Sequence, residues 1–173
     1  MLPETKTSIL IDRFIDRVGI IISWIWLVLL GIIVLNVTLR YVFDSGKIEF
    51  EEIQWHLYST GFLWGLSLAY KNDSHIRVDV LRERLSNRMK AWIDLYGILL
   101  LLLPFIFLIL FYAMPFVWAS LAVDERSQAP GGLGYRWIIK SMLPFGFLLL
   151  ALSTLSRLSR IYAELFSQKQ EGH

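Results

Sequence analysis

The sequence predicts an all-α integral membrane protein of four transmembrane helices, with both termini in the cytoplasm and short amphipathic helices at the interface. Three observations predict it. Stretches at 18–39, 53–70, 95–123 and 141–156 hold no Asp, Glu, Lys or Arg. Each approaches the ~20 apolar residues that cross a bilayer. The charges gather at the breaks, which a soluble chain of 173 residues, 55% hydrophobic, has no reason to do. The basic residues are also unevenly shared. Lys6, Arg13 and Arg17, then Lys71, Arg77, Arg82, Arg84, Arg88 and Lys90, then Arg157, Arg160 and Lys169 fall on one side. Only Arg40, Lys47, Arg126, Arg136 and Lys140 fall on the other. The positive-inside rule therefore places both termini and the middle loop in the cytoplasm.

The chain reads as one membrane domain, 1–173, with helices near 18–40, 53–71, 88–119 and 137–158. Interfacial segments are expected near 5–17 and 79–86. The first apolar run is too long for the core of a cleavable signal, so helix 1 is expected to stay as an anchor. Before it, Leu10, Ile11, Phe14, Ile15 and Val18 form one stripe, and Asp12, Arg13, Asp16 and Arg17 the other. That segment is either an extension of helix 1 or a helix in the headgroup plane. Helix 1 closes at Arg40, which can snorkel beside Tyr41.

The first outer loop is acidic, with Asp44, Glu49, Glu51 and Glu52. Helix 2 begins with Trp55 and Tyr58, ring types that favour the interface. It carries Gly61, Gly65 and Ala69 at four-residue spacing, a pattern that lets helix backbones approach closely. The partner helix is left open, in this chain or another. After Tyr70, Asp79 is a plausible N-cap for a short helix through Leu85, and Ser86–Asn87 can end it and cap the next. Helix 3 contains Pro104 and Pro115, each of which removes an N–H and favours a kink. The Gly-rich run at 128–134 is a loop. Helix 4 has Lys140 and Pro144 in its first turns.

Several chemistries are excluded or weakened. With no Cys there are no disulfides and no thiolate metal sites. A net charge of +2 gives no reason to expect nucleic acid. His56 and His75 lie at opposite ends of helix 2, roughly 30 Å apart at about 1.5 Å per residue, so they cannot share a haem iron within one chain. The acidic loop lacks the spacing of a calcium loop. Acidic and strongly basic side chains, the usual mark of an ion or substrate pathway, are missing from the four cores; Ser23, Thr60, Ser67 and Ser153 are weak substitutes. The residues thus favour an accessory or scaffolding subunit. A membrane anchor for a redox enzyme and a self-contained homodimeric transporter remain as alternatives.

Three pieces of sequence carry a family resemblance. Residues 36–43, Asn-Val-Thr-Leu-Arg-Tyr-Val-Phe, close helix 1. Glu51-Glu52 and 61–70 lead to His75-Ile-Arg77-Val-Asp79-Val-Leu. Leu143-Pro144-Phe-Gly-Phe-Leu opens helix 4. Together the chain resembles the small membrane subunit (DctQ-type) of tripartite ATP-independent periplasmic (TRAP) transporters. The resemblance implies a sodium-driven importer of organic anions, such as C4-dicarboxylates or sialic acid, in a bacterial inner membrane. It implies a large multi-helix membrane subunit that carries the substrate and sodium sites, a periplasmic binding protein, and surrounding lipids as partners. This chain would be no enzyme and would hold no catalytic residue, cofactor or metal. His75, Arg77 and Asp79 are expected to fix the cytoplasmic loop. Gly61, Gly65 and Ala69 are expected to pack helices, and Glu49, Glu51, Glu52 and Arg136 to face the binding protein.

Overall fold

The computed structural model describes residues 3–74 and 85–167. All its regular elements are helical, and four rods run up and down. α1 is Lys6–Val42. α2 is Ile48–Lys71. α3 is assembled from Asn87–Gly97, a π turn at Ile98–Leu102, and Leu103–Ala122. α4 is Arg136–Tyr162, continued by a π turn at Ala163–Ser167. α1, α3 and α4 are each long and apolar enough to cross a membrane. α2 falls short on composition, because Gln54, His56, Ser59, Thr60 and Ser67 dilute its Leu and Phe.

Local chemistry sets the ends. Thr5 and Ser8 form a reciprocal capping box that opens α1. Ser86 accepts from the Met89 N–H at 3.3 Å and opens α3. α1, α2 and α3 each end the same way, with an Asp in the left-handed region two residues past the helix: Asp44 (φ 51°), Asp73 (φ 56°) and Asp124 (φ 44°). After α2 and α3 the next N–H reaches back to the third-last helical carbonyl, Ser74 to Ala69 and Glu125 to Ser120, both at 3.0 Å. Short polar side chains tolerate this conformation when Gly is absent.

Packing follows a seven-residue rhythm. On α1 the buried positions are Ser8, Ile15, Ile22, Leu29 and Asn36, with Asp12 and Gly19 on the same seam. That is the repeat of helices crossing at a shallow left-handed angle. α4 is the hub and packs against α1, α2 and α3. α2 packs against both α1 and α4, which also touch each other, while α3 is mounted on α4 and has no comparable contact with α1. The result is a cluster of α1, α2 and α4 in mutual contact with α3 mounted on α4, rather than a closed four-helix bundle. One core cluster joins α3 to the end of α4 through Ala91, Ile98, Ile161 and Leu165. A second joins Ile106 of α3 to Phe147 and Leu150 of α4, with Leu63 of α2 alongside.

The residues before helix 1 are continuous with it, and their expected stripes are rearranged. Asp12 is buried with Ile15, while Leu10 and Phe14 are exposed. The reason is electrostatic: Asp12 finds cationic and hydroxyl partners on α4, and the helix rotates to bring it there. The segment expected as an interfacial helix near 79–86 lies mostly outside the described residues.

Candidate functional site

The structure concentrates its polar chemistry in three places: the α2–α4 seam, the end where α1 begins and α4 finishes, and the opposite end.

The seam is set by small residues. Gly146 of α4 lies against α2 so closely that a Cβ there would sit 3.0 Å from both the Leu63 carbonyl oxygen and its Cβ. Two turns further along the same face, Ser153 Oγ donates to the Ser67 carbonyl at 2.9 Å, a hydrogen bond between helices with both side chains buried. Of the residues expected to pack, Gly61 is buried against α1, where a Cβ would meet the Trp26 ring at 3.1 Å. A Cβ on Gly65 would meet nothing within 4 Å. Ala69 is half-buried and accepts the cap bond from Ser74. The three therefore share no single contact within this chain. Gly61 serves α1, and the α2–α4 approach is made by Gly146 and Ser153, which the four-residue pattern on α2 does not reveal. Their own seven-residue spacing on α4 was the available signal.

At the end where α1 begins and α4 finishes, charges tie four helices together. Ser156 Oγ donates to Asp12 at 2.7 Å, and Arg160 pairs with the second Asp12 oxygen. Thr5 and Ser159 share a hydroxyl bond at 2.8 Å. Lys71 of α2 pairs with Asp16 of α1. Arg157 donates to Asp73 and to Asp94, each at 2.7 Å, so one guanidinium spans the end of α2 and the start of α3. Its plane also lies 5.7 Å from the centre of the Tyr70 ring. The fork geometry of Arg suits two carboxylates at once. These groups border a cavity of about 530 Å³, lined in part by Lys90, Asp94, Arg157 and Arg160. His75, Arg77 and Asp79, expected to fix this region, lie outside the described residues.

At the opposite end, the first outer loop holds the second. Glu52, just before the charge-free part of α2, accepts from Ser127 and from the Leu133 N–H, the latter at 2.6 Å. The Ser127 hydrogen bond, chiefly, holds its carboxyl below the ordinary carboxylate range. Glu125 pairs with Lys140 and, at 3.9 Å, with Arg136; the Lys140 hydrogen bond is the main cause of its lowered pKa. Lys140 also sits 4.2 Å above the Phe116 ring. Glu51 pairs with Arg40 at 3.3 Å, with both side chains largely exposed. Glu52 and Arg136 are thus occupied within the chain; Glu51 is exposed, and Glu49 is half-buried with its carboxylate beside Gly131. Among the described residues no group of three or more His, Asp or Glu is placed to hold a metal ion.

A family model described as tripartite ATP-independent periplasmic transporters, DctQ component, matches residues 29–164. No curated protein matches the chain.

Proposed function

The chain belongs to the DctQ component family of tripartite ATP-independent periplasmic transporters, and on that premise we propose that it is the stationary brace of a sodium-driven importer of organic anions. A large membrane subunit carries the substrate and sodium sites, and a periplasmic binding protein delivers a carboxylate such as a C4-dicarboxylate or a sialic acid. This chain supplies no catalytic group and no cofactor.

The observation that carries this reading is the open helix packing. α3 is held on one side only, by α4, and much of α1 and α3 is apolar and exposed. Flanks of this kind suit a helical partner or lipid. α2 acts as the fourth span. Its 24 residues reach about 36 Å at ~1.5 Å each, against a hydrocarbon core of ~30 Å. Its packing against α1 and α4 keeps Ser67 out of lipid. Both termini then lie in the cytoplasm of a bacterial inner membrane, and Glu49 and Glu51 face the periplasm as candidate contacts for the binding protein.

The test is mild extraction of the tagged protein, identification of what accompanies it, and uptake in proteoliposomes. A stoichiometric many-helix partner, with uptake that requires a sodium gradient and the binding protein, supports the proposal. A haem-bearing partner, or transport by this chain alone, overturns it. Charge reversal at Glu49 and Glu51 should weaken binding-protein-dependent uptake most at low salt, where complementary charge acts at longest range.

A further inference from the structure

The outward face of the first turns of α1 carries an arrangement that the transporter reading does not use. Lys6, Leu10, Arg13, Arg17, Ile20 and Trp24 fall within a sector of roughly 80° at about 100° per residue. They lie opposite the buried seam of Ser8, Asp12, Ile15, Gly19 and Ile22. All six are exposed, Leu10 at 72% and Trp24 at 63%. Phe14 and Ile21 extend the strip at its edge, at 49% and 54%. The acids nearby are placed elsewhere: Asp12 is turned into the protein, and Asp16 is paired with Lys71. No ion pair or side-chain hydrogen bond joins Lys6, Arg13 or Arg17 to any described residue.

We propose that this strip is a binding surface for the headgroups of acidic phospholipids where α1 enters the membrane. Three arguments select that occupant. The strip is continuous with the apolar face of the same helix, so it leads directly into the bilayer. Arg13 and Arg17 fall just before the charge-free stretch, at the depth of phosphate rather than of acyl chains. Leu10 and Phe14 between them supply the apolar side of an interfacial helix, with the Arg stems lying along it. Net positive charge with no acidic neighbour in the sector complements an anionic surface. The inference needs only that α1 spans a membrane, so it stands or fails separately from the partner and substrate assignments.

The experiment uses the full chain, with whatever subunit co-purifies with it, in phosphatidylcholine nanodiscs that contain spin-labelled lipid. The fraction of protein-restricted label is compared for phosphatidylglycerol and phosphatidylcholine. Wild type should prefer phosphatidylglycerol. Each cation removed in Arg13→Gln/Arg17→Gln should lower that preference by up to about fivefold, the equivalent of about 1 kcal/mol per basic residue at the surface. Arg13→Lys/Arg17→Lys should retain it, and high salt should weaken it. Equal preference in the Gln and wild-type complexes overturns the proposal. A second readout does not depend on the Gln variant assembling. The chain has no Cys, so Leu10→Cys gives one nitroxide on this subunit. Access of oxygen but not of a nickel chelate supports membrane contact. Access of the chelate means a solvated strip, and exclusion of both means that protein covers it; either result overturns the proposal.

Discussion

Gly146 of α4 sits directly on the backbone of Leu63 in α2, with room for no more than a hydrogen between them. The contact cannot relax by a side-chain rotation, because the Leu63 carbonyl forms part of its wall. Gly146→Ala should therefore destabilise the protein by about 1–3 kcal/mol, the usual cost of overpacking. Gly65→Ala should stabilise the isolated chain slightly, by about 0.5–1 kcal/mol, since open space faces it and Ala is the better helix former. Thermal unfolding of both variants in detergent measures the contrast. If Gly65→Ala instead lowers only the yield of the assembled complex, that residue faces the partner subunit.

Asp12 is the second point of dependence. Its side chain is 10% exposed and is satisfied by Ser156 and Arg160. Removing one partner of a buried pair costs about 3–5 kcal/mol because the other charge is stranded. With Arg160 26% exposed, Asp12→Ala should fall near the lower end. Arg160→Met should partly offset the loss when combined with Asp12→Leu, since two apolar groups leave no orphan. A double-mutant cycle on melting temperature checks this.

Lys should replace Arg157 only in part. A single ammonium cannot present two planar donor pairs to Asp73 and Asp94. Arg157→Lys should retain part of the stability and Arg157→Met less. The three left-handed Asp residues separate capping from pairing. Asp44→Gly should be neutral or slightly stabilising, because Gly adopts φ near 51° without a Cβ penalty. Asp73→Gly relieves the same strain but loses the Arg157 bond, and should be destabilising. Unfolding midpoints of the two variants decide it.

The outer loop should loosen in acid. The pKa values of Glu52 and Glu125 are lowered by hydrogen bonds made in the folded state. Groups of this kind contribute stability that is fully present above the ordinary carboxylate range and lost as pH falls through their depressed values. Protease nicking between Ala122 and Arg136 should rise below that range. Glu52→Gln should show raised nicking already at neutral pH, with a flatter pH dependence. Gly132→Ala should mimic it, because a Cβ there would lie 2.5 Å from Ser127 and 2.9 Å from Glu52.

Much of this architecture was legible. Charge-free runs located α1, α3 and α4, because a membrane excludes charge at every position of a span. α2 was placed by the same rule although its hydropathy is lower. The rotation of α1 was not legible. Leu10 and Phe14 read as one apolar stripe with Ile15 by periodicity, yet Ile15 is buried with Asp12 while Leu10 and Phe14 are exposed, because Ser156 and Arg160, far away in sequence, bind Asp12. Hydrophobic periodicity assumes that apolar means inside, and beside a membrane the outside is apolar too. The close approach at Gly146 shows in the sequence only through its seven-residue spacing from Ser153, two small residues too few to set a period by themselves. Charge alone could not show that Glu52 and Arg136 have partners within the chain, because those partners lie in a loop without regular structure.

The π turn before Pro104 has a consequence for how this protein can change length. Buried positions along α3 are Ala91, Ile98, Ile106, Ala113 and Ser120. The steps are seven residues, except for the single step of eight that spans Ile98–Leu102. A wide turn holds one more residue than an α turn, so it absorbs the surplus and both halves of α3 keep the same side toward α4. An insertion or deletion elsewhere in α3 would swing everything beyond it by about 100° and turn the seam toward lipid. Loss of one residue from Ile98–Leu102 would merely restore an unbroken heptad. That turn is a vernier in the helix, the place in α3 where a one-residue deletion would leave the register against α4 intact.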